Sequence, residues 1–251
     1  MNYADFVAFI GQPNSPPGGK VAVRTWIKTA RIDSDSRVLD LACSTGFSSR
    51  FVVQATGCRA VGIDLSMEAI REAKRAARKV DVQGRIHYQV GDATLLEFAD
   101  QSFSHILAGC TFSFIQGRDR ALDESARVLV VHGVLCTALF FYCRPPPPEL
   151  LDQIEETIGF RPSPDWDYSF WSTFFSRRFC LAAEQTYTLQ FMSASQIKAA
   201  VHDFVFGESE PLAEQPLEVK QACYRRLLSI RELLNEHRRY QKIAIAVWRL
   251  T

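Results

Sequence analysis

Short apolar runs and helical patterns alternate along residues 37–142. Arg37–Cys43, Arg59–Asp64, Arg85–Val90, Ser104–Ala108 and Gly133–Phe140 are apolar runs of strand length. Phe47–Thr56, Ser66–Val80 and Asp119–Val130 lie between them and have helical length and spacing. Strand–helix alternation at this spacing predicts a parallel sheet with helices on both faces. Ser66 is placed to cap the second of these helices, with Glu68 in its first turn and strong helix formers behind it.

The pattern changes after Tyr142. Arg144–Pro148 is a stiff extended connector that continues neither strand nor helix. Residues 160–179 then carry eight aromatics in twenty positions. A helix is predicted after Ser193 or Ser195, a long one over about Leu217–Tyr240, and a closing apolar strand over Ile243–Trp248. Ahead of the first strand, Tyr3, Phe6 and Phe9 repeat at a spacing of three, which predicts a short amphipathic helix before a Pro- and Gly-rich loop. The expected division is an N-terminal helical lid segment (1–36), a Rossmann-like core (37–142), a substrate cap insertion (143–192), and C-terminal helices with a last strand (193–251). The fold class is α/β, doubly wound and mostly parallel, with seven strands and a helical, aromatic cap after the fifth.

Composition narrows the function classes. A net charge of +1 gives no overall basic character for neutralising many phosphates, which disfavours nucleic acid as partner. The seven cysteines are odd in number and show no C-x-x-C pair, so no metal site is expected and a reduced, cytoplasmic setting is. The N-terminus has no basic region leading into a long apolar core, so it does not read as a signal peptide. No apolar run reaches the length of a membrane span.

The segment Val38–Ser49 carries the most chemical information. A strand passes through small residues and opens a helix, the arrangement that lets a ligand approach the backbone. Asp64 follows at the end of the second strand, where a carboxylate can accept bonds from both ribose hydroxyls. A dinucleotide would require G-x-G-x-x-G, but Ala42, Ser44 and Phe47 occupy those places. The phosphate-cradling G-x-x-x-x-G-K-[ST] loop is absent as well. A sulfonium nucleoside, which bears no phosphate, fits better.

These residues resemble the class I S-adenosylmethionine-dependent methyltransferases. LDLACSTG (39–46) is similar to the first motif of that family, VGIDLS (61–66) to the second-strand motif, GDA (91–93) to the adenine turn, and LEFADQSF (96–103) to the lead-in of the fourth strand. Ala42 and Ser44 depart from frequent glycines, and Ser104 and His105 stand where an aspartate is usual. The resemblance implies S-adenosyl-L-methionine as cofactor. It implies that Asp40 orders the first turn and the methionine ammonium, and that Ala42 and Gly46 admit the methionine end. Asp64, with Leu65 beside it, would bind the ribose, Asp92 and Ala93 the adenine, and Ala108 or Gly109 would face the methionine end.

Methyl transfer to a small organic molecule of specialised metabolism, by in-line displacement in a closed aromatic pocket, is the expected activity. Such chemistry chiefly needs alignment and exclusion of water, with a general base only for a protonated nucleophile. Tyr142, Asp167 and His202 are the candidate catalytic residues. Tyr3, Phe112, Tyr142, Asp165, Trp166, Tyr168 and Trp171 are the candidate substrate contacts. A nucleic-acid or protein methyltransferase and a non-catalytic cofactor-binding partner are the alternatives, and the chain is expected to act as monomer or homodimer.

Overall fold

In the computed structural model, which describes residues 1–80, 82 and 84–251, seven strands form one sheet in the order β3-β2-β1-β4-β5-β7-β6. The chain enters through helices α1 (Tyr3–Phe9) and α2 (Gly19–Ala30). Then follow β1 (Arg37–Leu41), α3 (Phe47–Thr56), β2 (Arg59–Asp64), α4 (Met67–Arg78), β3 (Ile86–Val90), β4 (Phe103–Ala108), a single turn α5 (Thr111–Phe114), α6 (Arg118–Val128) and β5 (Leu129–Tyr142). The second half contains α7 (Pro148–Ile158), α8 (Tyr168–Ser176), β6 (Phe179–Thr188), α9 (Ala194–Asp203), α10 (Glu210–Ala213), α11 (Leu217–His237) and β7 (Gln241–Leu250).

The first five strands run parallel, in the doubly wound order read from the apolar runs. β7 joins β5 antiparallel, so its first residue, Gln241, pairs with the last of β5, Tyr142. The end of α11 therefore arrives at the same edge where the parallel strands finish. Chain order reverses between β1 and β4, and ligands bind in the crevice beyond the carboxyl ends at such a switch point.

Local signals set the helix boundaries. Ser66 caps α4, with its hydroxyl accepting the Ala69 N–H at 3.1 Å. Ser193 caps α9 in a reciprocal capping box with Gln196. Pro148 begins α7, because a proline at the first helical position gives up only an N–H that had no partner anyway.

One expectation needs correction. The segment 143–192, read as a cap insertion, does not lie wholly outside the sheet. Phe179–Thr188 returns as the outer strand, pairing with β7 from Phe179↔Leu250 to Thr188↔Lys242. Mostly exposed side chains and the lack of an apolar alternation hide this strand in the sequence. The preceding helix α8 lies on the sheet face, where Phe175 packs 5.1 Å from Trp248. Most of the aromatic run is thus core. It belongs to one of two large apolar clusters, with the other formed under α2, α3 and α4 on the opposite face. A third, smaller cluster joins α1 to α9 and α11.

Candidate active site

The turn after β1 is built around two carboxylates. Asp40 is buried, and its Oδ2 accepts the Ser49 N–H at 3.0 Å, tying the strand end to the first turn of α3. Burial pushes its carboxyl up to about 6, against the pull of the Ser49 bond and Arg50. Ala42, Ser44 and Gly46 all have left-handed backbones, with φ of 49°, 48° and 71°. This alternation makes the turn tight enough for the Ser44 N–H to reach Asp64 Oδ2 at 2.8 Å. The Ser66 N–H reaches Oδ1 of the same carboxylate at 2.9 Å. Burial raises the Asp64 carboxyl above its ordinary value, while these two N–H bonds pull it down. Gly46 is required for space as well as φ, because a Cβ there would run into the Tyr88 ring and hydroxyl.

The N-terminal segment lies across both turns. Thr45 Oγ1 donates to the Gln12 carbonyl and accepts the Asn14 N–H, each at 3.3 Å. Ser66 Oγ donates to Asp5 Oδ1 at 2.8 Å. Pro16 sits against Gly109 at the end of β4, where a Cβ would approach it to 3.2 Å.

Beyond this segment opens a cavity of about 370 Å³, between the 12–19 loop, α7 and the end of α11. Of the sequence-predicted substrate contacts, Tyr3, Tyr142 and Trp166 line it. Phe112 is instead fully buried, edge-on to Phe174 and Phe175 at 5.6 and 5.3 Å. Asp165, Asp167 and Tyr168 are exposed. Asp167 caps α8, accepting the Phe170 N–H at 2.7 Å. Tyr168 and Trp171 border a separate, small space on the sheet face beside Glu184. His202 lies on the surface, 3.5 Å from Asp203. The structure therefore does not bring Phe112, Asp165, Asp167, Tyr168, Trp171 or His202 to the large cavity. For Asp167, Tyr168 and Trp171 the physical reason is that α8 packs its aromatic face on the sheet and leaves its polar N-terminus exposed; Phe112 is drawn into the same packing through Phe174 and Phe175, and His202 is exposed on α9.

Sequence reasoning missed His237, Arg231, Arg238 and Gln12, all of which line the cavity. Tyr142 Oη and His237 Nε2 are 2.8 Å apart and both residues are buried. Burial pushes the imidazole down to about 4 and the phenol upward, so the phenol donates to a neutral ring. A signal for His237 was available. An antiparallel last strand must start where the parallel strands end, which puts the preceding residues at the ligand edge.

At the end of β2, Leu65 is 72% exposed beside Asp64. Asp92 Oδ1 accepts the Thr94 N–H and hydroxyl at 2.8 and 2.9 Å. Ala93 is buried next to it, and Ala108 is wholly buried, so only its backbone can meet a ligand. The arrangement fits the cofactor implied by the motifs. Each Asp64 oxygen accepts one backbone bond, which leaves lone pairs for two hydroxyls. Gln12 Oε1 is buried without a hydrogen-bond partner among the described residues, a free acceptor for an ammonium, and the backbone carbonyl of the same residue accepts from Thr45 in the Ser44–Gly46 turn.

Residues 38–133 match the methyltransferase domain family. The solved structure of a protein designated MccD superimposes with a TM-score of 0.82 at 37% identity, covering 95% of this chain and all of that one. An uncharacterized protein of Haemophilus influenzae is 31% identical over 135 residues, 53% of this chain and 54% of the other. Methyltransferase GfsG of Streptomyces halstedii is 29% identical over 107 residues, 43% and 38% of the two chains. The matched stretch thus spans about half or less of these two curated relatives. The chain belongs to the class I S-adenosylmethionine-dependent methyltransferases. Among the described residues, no helix is long and apolar enough to cross a membrane, and no group of three His, Cys, Asp or Glu side chains is placed to hold a metal.

Proposed function

We propose that this protein binds S-adenosyl-L-methionine and transfers its methyl group to a small organic acceptor seated in the 370 Å³ cavity. The observation that carries the reading is the juxtaposition of two sites. The 12–19 loop links them: Gln12 and Asn14 bond Thr45 on the turn whose Ser44 N–H meets the Asp64 carboxylate, and residues 12–19 line the aromatic cavity. When bound, the cofactor supplies a sulfonium-activated methyl. Asp64 would hold the ribose hydroxyls, Asp92 and Ala93 the adenine, Leu65 the nucleoside face, and Gln12 Oε1 the methionine ammonium. Asp40 acts through the turn it fastens to α3 and is a positioning residue. Ala42, Gly46 and Ala108 offer backbone at the methionine end.

Tyr3, Tyr142 and Trp166 wall the acceptor and exclude water, which keeps the displacement in line and the donor unhydrolysed. For a hydroxyl or amine acceptor, the Tyr142–His237 pair offers a proton route. The acceptor proton passes to Tyr142 Oη as the phenol proton passes to His237 Nε2, which is free to take it because the ring is neutral. A cavity of this size with a chain charge of +1 suits a small molecule better than a nucleic acid.

The test is turnover of the methyl-labelled cofactor against a panel of small organic acceptors. Methyl transfer predicts labelled acceptor and S-adenosylhomocysteine in equal amounts. Release of any other thioether of the nucleoside would overturn it, as would tight cofactor binding with no transfer across the panel.

A further inference from the structure

The cavity wall contains a charge arrangement that methyl transfer alone does not call for. Arg231, Leu234 and Arg238 recur along one face of α11 and its last turn, and all three line the cavity. Both arginines are half-buried. Among the described residues, neither has a carboxylate within ion-pairing distance. Their neighbour Arg239 differs: it points outward and pairs with Glu236 at 2.8 Å. The described lining contains no aspartate or glutamate at all. Two guanidiniums are thus held close enough to repel each other, and burial together with Arg231 pulls Arg238 below its ordinary value. Tyr3, also in the lining, lies within the field of Arg231.

A half-buried, unpaired cation costs free energy, and two on one cavity wall cost more. Such a pair is stable at a site that an anion completes, and the planar fork of arginine matches carboxylate and phosphate oxygens. We propose that Arg231 and Arg238 together form the receptor for an anionic group, a carboxylate or a phosphate, carried by the methyl acceptor. The aromatic side of the cavity, with Phe114, Phe160 and Trp166, would take the apolar body of that acceptor. This inference rests on the reading of the cavity as the acceptor site. The cofactor itself ends in a carboxylate, so the two sources of negative charge must be told apart.

Calorimetric titration of the full chain with phenyl phosphate, benzoate and benzamide, with and without saturating S-adenosylhomocysteine, does this. Benzamide has the shape of benzoate without its charge. The expected result is binding of phenyl phosphate and benzoate, and at least tenfold weaker binding of benzamide, in the presence of S-adenosylhomocysteine. Arg231→Gln and Arg238→Gln should each weaken phenyl phosphate about tenfold, the loss of one charge-assisted pair. Their affinity for S-adenosylhomocysteine should change less than twofold. Parallel loss of S-adenosylhomocysteine would overturn the proposal by assigning the arginines to the cofactor carboxylate. Equal binding of benzoate and benzamide would also overturn it. Folding is checked independently: removing an unpaired charge should leave the melting temperature of either variant unchanged or raised, and inorganic phosphate should raise that of the wild type above an ionic-strength-matched chloride control. A wild type that binds phenyl phosphate but not S-adenosylhomocysteine would sink the methyl-transfer reading and leave the anion receptor standing.

Discussion

Replacing Asp64 with asparagine removes a charge and almost no volume. In the native turn, Oδ2 accepts the Ser44 N–H at 2.8 Å and Oδ1 accepts the Ser66 N–H at 2.9 Å. An amide offers a single acceptor oxygen, so one of these N–H groups must then face an NH₂ group. Losing a charge-assisted bond of this kind costs about 1.5–3 kcal/mol. Part of that is offset, because burial already penalises the carboxylate, as its raised pKa indicates. A net destabilisation of about 1 kcal/mol is expected, and for a chain of this length that lowers the melting temperature by roughly 2–4 °C. The effect on the cofactor should be larger. Both ribose hydroxyls lose an anionic acceptor, worth about 2 kcal/mol together, or roughly 30-fold in affinity. Calorimetric titration with S-adenosylhomocysteine, well below the melting transition, reads the second effect, and scanning calorimetry reads the first. A folded variant that melts slightly lower yet binds as tightly as wild type would refute the reasoning. Asp64 would then do no more than staple the two turns.

The other predictions concern the rest of the site. Asp40 has a carboxyl raised to about 6 in the folded state against an ordinary 3.8, so the native state holds its proton more tightly than the unfolded chain. Its contribution to stability is therefore full below the unfolded value and lost as pH rises through about 6. The difference in unfolding free energy between wild type and Asp40→Asn should change by about 2.4 kcal/mol between pH 4 and 7, measured by denaturant titration; a flat difference would contradict the burial argument. His237, depressed to about 4, stays neutral across the ordinary histidine range, so the pH profile of kcat/KM should lack a limb near 6.5. Tyr142→Phe should cut turnover of a protonated nucleophile at least ~10²-fold, the usual worth of general-base assistance, and leave S-adenosylhomocysteine affinity intact. Equal losses in turnover and cofactor affinity would mean that the pair only holds the cavity together. Trp171→Ala should cost about 3–5 kcal/mol of stability, since the ring is buried among Trp166, Phe174 and Phe175. A stable variant with selectively lost turnover would instead return Trp171 to the acceptor site.

The alternation of apolar runs with amphipathic stretches was enough to specify the doubly wound half. A parallel strand buried on both faces must be apolar, and each crossover needs a helix, so both leave local marks in the chain. The same holds for the turns that follow β1 and β2. Asp40, Gly46 and Asp64 sit where strands end, and small residues at 42–46 are demanded by left-handed backbone within the chain's own neighbourhood. The helix start at Ser66 was legible for the same reason, since a cap bonds to a backbone three residues away, and the capping box with Gln196 decides for Ser193 where the chain alone also offered Ser195.

The large cavity could not be read this way, because its lining residues meet only through long-range packing. Tyr142 and His237 are 95 positions apart in sequence and 2.8 Å apart in space, and the antiparallel pairing of β5 with β7 decides that. Composition placed the aromatic run 160–179 at the substrate; Phe160 and Trp166 line the cavity, but the sheet offers a larger apolar surface, and Trp171, Phe174 and Phe175 of α8 bury themselves there instead. The outer strand Phe179–Thr188 carries no clear alternation, because an edge strand with mostly exposed side chains is held by its backbone ladder to β7. Arg231 and Arg238 look like ordinary solvated residues of a polar helix in one dimension. Only the fold turns that face of α11 toward the carboxyl edge and withholds any carboxylate from it, and charge complementarity is a property of that three-dimensional enclosure.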